Sequence, residues 1–331
     1  MIKNSRKIIK DNDIEIFQLN EKSIYENGYS LGLMYKEKID INNYYDLKNK
    51  LYENIKTKYN SLVFNLIQKK INLWMNLLKT KYQLSIQEIL GFSDALEIKN
   101  DTILEINVIV EIYDYMCTLL GVKENKNIWN LRILDLDPEL TNIIKSFNLP
   151  LTIIVNKISN NVKYISFCYI GFFNGHTSYI NNSSITTFSW NNLELKDFLK
   201  NEIPPMFHIK FLTLESKNID DMQSKLENTN IIYDGYVMLM NKEKIILHDF
   251  NKIRNDSNLK NKGDIIISDY KFNYSYDLNN FITKEFSEIP NKLRAFSVIY
   301  DFENEHFLIN NNLVEKKEFI KISMKEILNQ D

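Results

Sequence analysis

Hydrophobic positions recur at helical steps through the first third of the chain. Between Tyr45 and Lys81, Leu47, Leu51, Ile55, Leu62, Val63, Leu66, Ile67, Ile71, Trp74 and Leu78 fall three or four residues apart, which predicts a long amphipathic helix. Ser85-Ile86-Gln87-Glu88 reads as a capping box, with Ser85 as N-cap and Glu88 reaching back. That helix continues through Ile89, Leu90, Phe92 and Leu96, and another starts near Asp101 with Leu104, Val108, Ile109 and Ile112.

After Cys117 the texture changes to short β-rich runs between Asn, Gly and Lys turns. The pattern predicts strands over Cys117–Val122, Ile128–Leu134, Leu151–Ile158, Lys163–Phe173, Ser184–Trp190, Gly235–Met240, Lys244–Asp249, Asp264–Asp269 and Arg294–Asp301. Helices are expected over Asn192–Asn201, Ile219–Asn228 and Tyr276–Phe286, with hairpin signals at Asn160-Asn161 and Asn241-Lys242. A helical leader before a strand-dominated body predicts an α+β fold with antiparallel sheets.

Composition fits a globular chain. Of 331 residues, 44% are hydrophobic and 25% charged, and 41 basic residues against 43 acidic ones give a net charge of −2. Nothing in that balance draws the chain to nucleic acid or an anionic membrane. No apolar run reaches the ~18 residues of a membrane span, and the charged N-terminus lacks a signal peptide. Two cysteines, Cys117 and Cys168, make no disulfide framework and no zinc pattern. The expected compartment is therefore the cytoplasm, with no metal or other cofactor. Only four arginines occur, at 6, 132, 254 and 294, so each stands out against the lysine-rich background. The basic stretch Lys252–Lys262 reads as a solvated loop, and His176, His208, His248 and His306 stand in no triad-like context.

Candidate chemistry centres on Cys117, which opens a strand where the texture changes. The turn Lys123–Asn127 folds Cys117–Val122 and Ile128–Asp135 into a hairpin. Arg132 lies 132 − 117 = 15 residues after the cysteine and Asp135 lies 135 − 117 = 18 after it. Both come toward the end of the return strand, beside the start of the first. A cation near a thiol favours the thiolate, and a carboxylate can orient an amine or hold the arginine. The bland alternative is a buried core cysteine.

Cys-Thr, a hairpin and Arg-x-x-Asp at this spacing resemble the N-terminal-nucleophile cysteine amidases. That superfamily includes acid ceramidase, N-acylethanolamine acid amidase, choloylglycine hydrolases and the penicillin acyltransferase group. Further segments are similar in the same order: Gly28-Tyr29-Ser30-Leu31-Gly32, Ile86–Leu96, Tyr169-Ile170-Gly171-Phe172-Phe173-Asn174-Gly175, and Ile289–Leu293 running into a last core strand over Phe296–Tyr300.

The resemblance implies a four-layer αββα sandwich, a helical leader or propeptide of residues 1–116 and a catalytic body of residues 117–331. It implies cleavage between Met116 and Cys117, acyl transfer from a small-molecule N-acyl amide through a Cys117 thioester, and a leader that can stay on the body. Arg132 and Asp135 would position the new amino terminus and thiol. Asn181 would be an oxyanion donor, and the strand end at Ser268-Asp269 would lie beside it. There Asp269 replaces the family's asparagine, and an ionised carboxylate would repel the oxyanion that an amide stabilises. Either it is protonated, or the donor comes from elsewhere, or hydrolysis is impaired. Phe172, Phe173 and Arg294 are candidate substrate contacts. The rival readings are a catalytically silent relative that binds an acyl or peptide ligand, and an ordinary α+β interaction domain.

Overall fold

The structure is a computed structural model, and it describes residues 5–11, 14–38, 40–113, 115–124, 127–173, 177–180, 184–190, 203–229, 235–249, 264–268, 294–311 and 319–328. The expected helices over 192–201 and 276–286, and the basic stretch 252–262, lie outside them.

Among the described residues, strands precede the first helix. Strands β1 (Arg6–Asp11) and β2 (Ile14–Glu21) form a hairpin before α1 (Ile24–Tyr35). The expected long helix is two, α2 (Asn42–Lys58) and α3 (Ser61–Thr80). Tyr59 is extended between them and the Asn60 side chain accepts from the Val63 amide at 3.0 Å. Asparagine satisfies an orphan donor at a cap better than it serves inside a helix, so the apolar stripe runs on while the backbone breaks.

Helix α4 (Gln83–Ala95) starts two residues ahead of the expected cap. Ser85 Oγ donates to the Tyr82 carbonyl, and Glu88 does not reach back but is fully buried. Helix α5 (Asn100–Ile109) and a single 3-10 turn, Val110–Ile112, come next. Helices α1 and α4 cross backbone to backbone. A Cβ at Gly28 would stand 2.8 Å from the Glu88 carbonyl carbon, and one at Gly32 would stand 2.6 Å from the Ala95 Cβ. Glycine on one face of α1 is what lets α4 come so close.

The described strands form three sheets, and the mixed content makes the fold α+β. The first is ordered β1-β2-β5-β6, where β5 (Leu151–Ile158) runs parallel to β2 and antiparallel to β6 (Asn161–Tyr169). Its β5–β6 turn has positive φ at Ser159 (51°) and Asn160 (66°), the geometry of a tight hairpin, one residue before the expected position. The second sheet is ordered β10-β9-β8-β7, from β7 (Thr177–Ile180), β8 (Ser184–Trp190), β9 (Gly235–Asn241) and β10 (Ile245–Asp249). The third, six-stranded, is ordered β11-β3-β4-β12-β13-β14. It comprises β3 (Tyr115–Glu124), β4 (Asn127–Leu136), β11 (Asp264–Ser268), β12 (Arg294–Asp301), β13 (His306–Asn311) and β14 (Ile320–Ser323). The segment read as the last core strand is therefore internal, since β12 pairs with both β4 and β13.

Both four-stranded sheets pack on the six-stranded one. Phe167 meets Phe307 at 5.0 Å between ring centroids and Tyr169 meets Phe296 at 6.0 Å. Asn130 approaches the sulfurs of Met238 and Met240 at 3.5 and 3.2 Å. The other face of β5 and β6 is covered by α1, α4 and α7 (Pro205–Glu215), so these strands are buried on both sides and read as near-continuous apolar runs. The remaining described helices are α6 (Pro138–Ser146), α8 (Ile219–Glu227) and a short α9 (Met324–Leu328). Buried Gln18 and Lys157 donate to the carbonyls of Ile327 and Leu328, tying α9 to the first sheet.

Candidate active site

The expected hairpin is β3–β4, and its register fixes the candidates on one ladder. Cys117 pairs with Leu134, Met116 with Asp135 and Leu119 with Arg132. Arg132 thus stands two rungs from the cysteine, about 7 Å along the strand. Asp135 is level with the residue before the cysteine and falls in the alternate row. On its other side β4 pairs with β12, setting Arg294 opposite Asp135 and Val298 opposite Arg132. Beyond β3, strand β11 runs antiparallel and its last residue, Ser268, pairs with Leu119. One end of the six-stranded sheet therefore collects Met116, Cys117, Arg132, Asp135, Arg294 and the end of β11. Residues 117, 135, 268 and 294, separated by up to 177 positions, meet only because four strands share this end.

Arg132 is fully buried, with zero exposure, and it is engaged there. In the alternation of β4 it shares a row with Asn130, which faces Met238 and Met240, so it belongs to the space between the sheets. A guanidinium at that depth is held only where it is paired. Asn181 and Asp269 lie outside the described residues, each directly after a described strand: Asn181 follows β7 and Asp269 follows β11. Phe173 is buried core, stacked edge-on against Phe92 of α4 at 4.7 Å, and Phe172 is half-buried beside the core.

The second cysteine lies in the core. Cys168 is free and buried between β6 and the helices, and burial pushes its thiol up to about 12. His208 is buried against Tyr82, and burial lowers it to about 4. His306 sits 3.8 Å from Asp301 at the β12–β13 turn, the opposite end of the sheet from Cys117. Among the described residues no group of three or more His, Cys, Asp or Glu could hold a metal ion, and no helix is long and apolar enough to cross a membrane.

Sequence reasoning missed a buried polar cluster on the helix side of the first sheet. Glu88 accepts from Tyr164 Oη (2.7 Å), Lys210 Nζ (2.7 Å) and Asn156 Nδ2 (2.9 Å). Asn27 donates to Asn156 Oδ1 at 3.1 Å and to the Lys157 carbonyl at 2.9 Å. Lys210 also donates to the Phe173 carbonyl at 3.0 Å and lies 5.3 Å from the Tyr164 ring centre. Each carboxylate oxygen of Glu88 is satisfied, the condition under which a charge survives at zero exposure. The detectable signal was Lys210, the only charge in Pro205–Leu214 and flanked by Phe207, Ile209, Phe211 and Leu212.

No family model and no curated protein matches the sequence. Among solved structures the chain is similar to the Caenorhabditis elegans N-acylethanolamine-hydrolyzing acid amidase ortholog, with 13% identity and a TM-score of 0.39 over 56% of this chain and 92% of that one. So slight a likeness carries no argument about activity, and the functional reading rests on the residues and the ladder.

Proposed function

We propose that the protein is a self-processing cysteine amidase or acyltransferase of the N-terminal-nucleophile kind, acting on N-acyl amides. The observation that carries this reading is the convergence at one sheet end of the Met116–Cys117 bond, Arg132, Asp135 and the strand leading to Asp269. In processing, the Cys117 thiol attacks the Met116 carbonyl carbon, giving a thioester as the peptide nitrogen leaves protonated. Water then releases the Met116 carboxylate and regenerates the thiol. The freed α-amino group, with an ordinary pKa of about 7.7–8.0, takes the thiol proton in the second reaction. The thiolate adds to the substrate carbonyl, the amine departs with that proton, and water or another amine resolves the acyl-thioester.

Arg132 and Asp135 are proposed to hold the amino terminus and thiol, and Asn181 to donate to the oxyanion. Phe172 and Arg294 are the candidate substrate contacts. Residues 1–116 would be the leader and 117–331 the body. The parallel pairing of β2 with β5 and the Glu88–Lys210 contact favour a leader that stays bound. The finer αββα layering belongs to this proposal too.

Intact mass tests the reading. Wild type should yield two fragments cut between residues 116 and 117, and Cys117→Ala one species of 39.4 kDa. Fragments persisting at that bond in Cys117→Ala would sink the self-processing mechanism. The carboxylate at Asp269 favours a second reading, a ligand-binding relative without turnover, and an uncut wild type whose Cys117 reacts slowly with iodoacetamide would support it.

A further inference from the structure

The strand β6 ends at Tyr169, and β7 begins at Thr177 in a different sheet. The corner between them includes Gly171, which has φ +91° and whose hypothetical Cβ would stand 2.6 Å from the Tyr44 ring. Two side chains from different helices grip the same residue of that corner. Asn107 of α5 accepts from the Phe173 amide at 2.7 Å and donates to the Gly171 carbonyl at 2.7 Å. Lys210 of α7 donates to the Phe173 carbonyl, and Glu88 of α4 holds Lys210. Asn107 is fully buried, and the Lys210 and Glu88 side chains are 7% and 0% exposed. A hydrophobic anchor could hold a corner in place, but it would not select the direction of both polar groups of one peptide residue. Nothing in the ladder described above uses these three side chains.

We infer that Glu88, Lys210 and Asn107 are positioning residues, a clamp through which the part of the chain before Cys117 sets the β6–β7 corner and so the strand that leads to Asn181. Strand β7 pairs with β8, and β8 lies against β3, the strand of Cys117. A shift of the corner is therefore passed to the sheet that faces the nucleophile's strand. The catalytic consequence rests on the function proposed above, whereas the clamp itself is a statement about the corner alone.

Hydrogen exchange on the full chain separates the two. In the paired variant Glu88→Gln/Lys210→Met the ion pair is removed as a unit, leaving no buried charge behind. The amides of Ile170, Phe172 and Phe173, bonded to the Pro150 carbonyl, the Tyr169 carbonyl and Asn107, should be accelerated about tenfold or more beyond those of β12, whose own rate follows the global loss of stability. Asn107→Ala, which releases the other side of Phe173, should accelerate the same amides. On an N-lauroyl p-nitroanilide probe, kcat should fall about tenfold with KM within about twofold, as expected when only the transition-state donor is misplaced. Unchanged exchange at 170–173 in both variants overturns the clamp. So does equal acceleration in β12, or outright unfolding of either variant, since each would make the cluster a matter of global stability. If wild type turns over no probe, the proposed function fails while the exchange result still decides the clamp.

Discussion

The Glu88–Lys210 pair makes a quantitative prediction about equilibrium stability. Lys210→Met keeps the side-chain length and deletes the ammonium, leaving the Glu88 carboxylate at zero exposure with Tyr164 and Asn156 as its remaining donors. Removing one partner of a buried pair costs about 3–5 kcal/mol. The two surviving donors, worth about 1.5–3 kcal/mol each to a charged acceptor, place the expected loss near the lower end, about 3 kcal/mol. Glu88→Gln leaves Lys210 with the Phe173 carbonyl, the Tyr164 ring face and an amide oxygen, so about 2 kcal/mol is expected. The double variant has no stranded charge but lacks the Phe173 contact, and should stand about 3 kcal/mol below wild type. The coupling energy is then about 3 + 2 − 3 = 2 kcal/mol, within the usual range for contacting residues. Against a total of about 5–15 kcal/mol, each loss is large enough for urea denaturation of the four proteins at pH 7, with the slopes compared. Additive losses, a double variant about 5 kcal/mol below wild type, would refute the pairing as the source of the effect.

Further outcomes follow from single positions. Gly91→Ala would drive a methyl into the Tyr25 carbonyl oxygen and to 2.7 Å from the Tyr29 nitrogen, forcing α1 and α4 apart, and should cost about 3 kcal/mol or more in thermal or urea melts. His208 is held near 4 against an ordinary 6.5, so the unfolded chain binds its proton first. Its contribution is present above pH 6.5 and lost as pH falls toward 4, by up to about (6.5 − 4) × 1.36, roughly 3 kcal/mol; stability of His208→Phe between those pH values should be correspondingly flatter. Cys168 should resist iodoacetamide at pH 8 in the native protein, and Cys168→Ala should leave processing intact; rapid native labelling at Cys168 would contradict its burial. Arg132→Lys, at a fully buried position where a planar fork is replaced by a point charge, should lower turnover about tenfold, and wild-type kinetics would remove Arg132 from the site.

What the sequence determined by itself was local. The runs at Leu151–Ile158, Ser184–Trp190 and Arg294–Asp301 are strands with the expected bounds, because β-branched and aromatic residues set between turn-formers mark a strand locally. The hairpin of Cys117, Arg132 and Asp135 was legible for the same reason: a short turn makes sequence spacing into register. The break at Asn60 and the opening strands β1 and β2 were not. A cap competes with an unbroken apolar stripe, and a six-residue charged strand such as Arg6–Asp11 carries too few alternations to register. Tertiary structure alone decided that β2 lies parallel to β5, that β12 is internal and that β11 ends two rungs from Cys117, since strand order is a choice among non-local pairings. It alone decided Glu88 as well. Its partners stand at 156, 164 and 210, and a buried carboxylate is distinguishable from a helix cap only once the donors that pair with it have been folded into place.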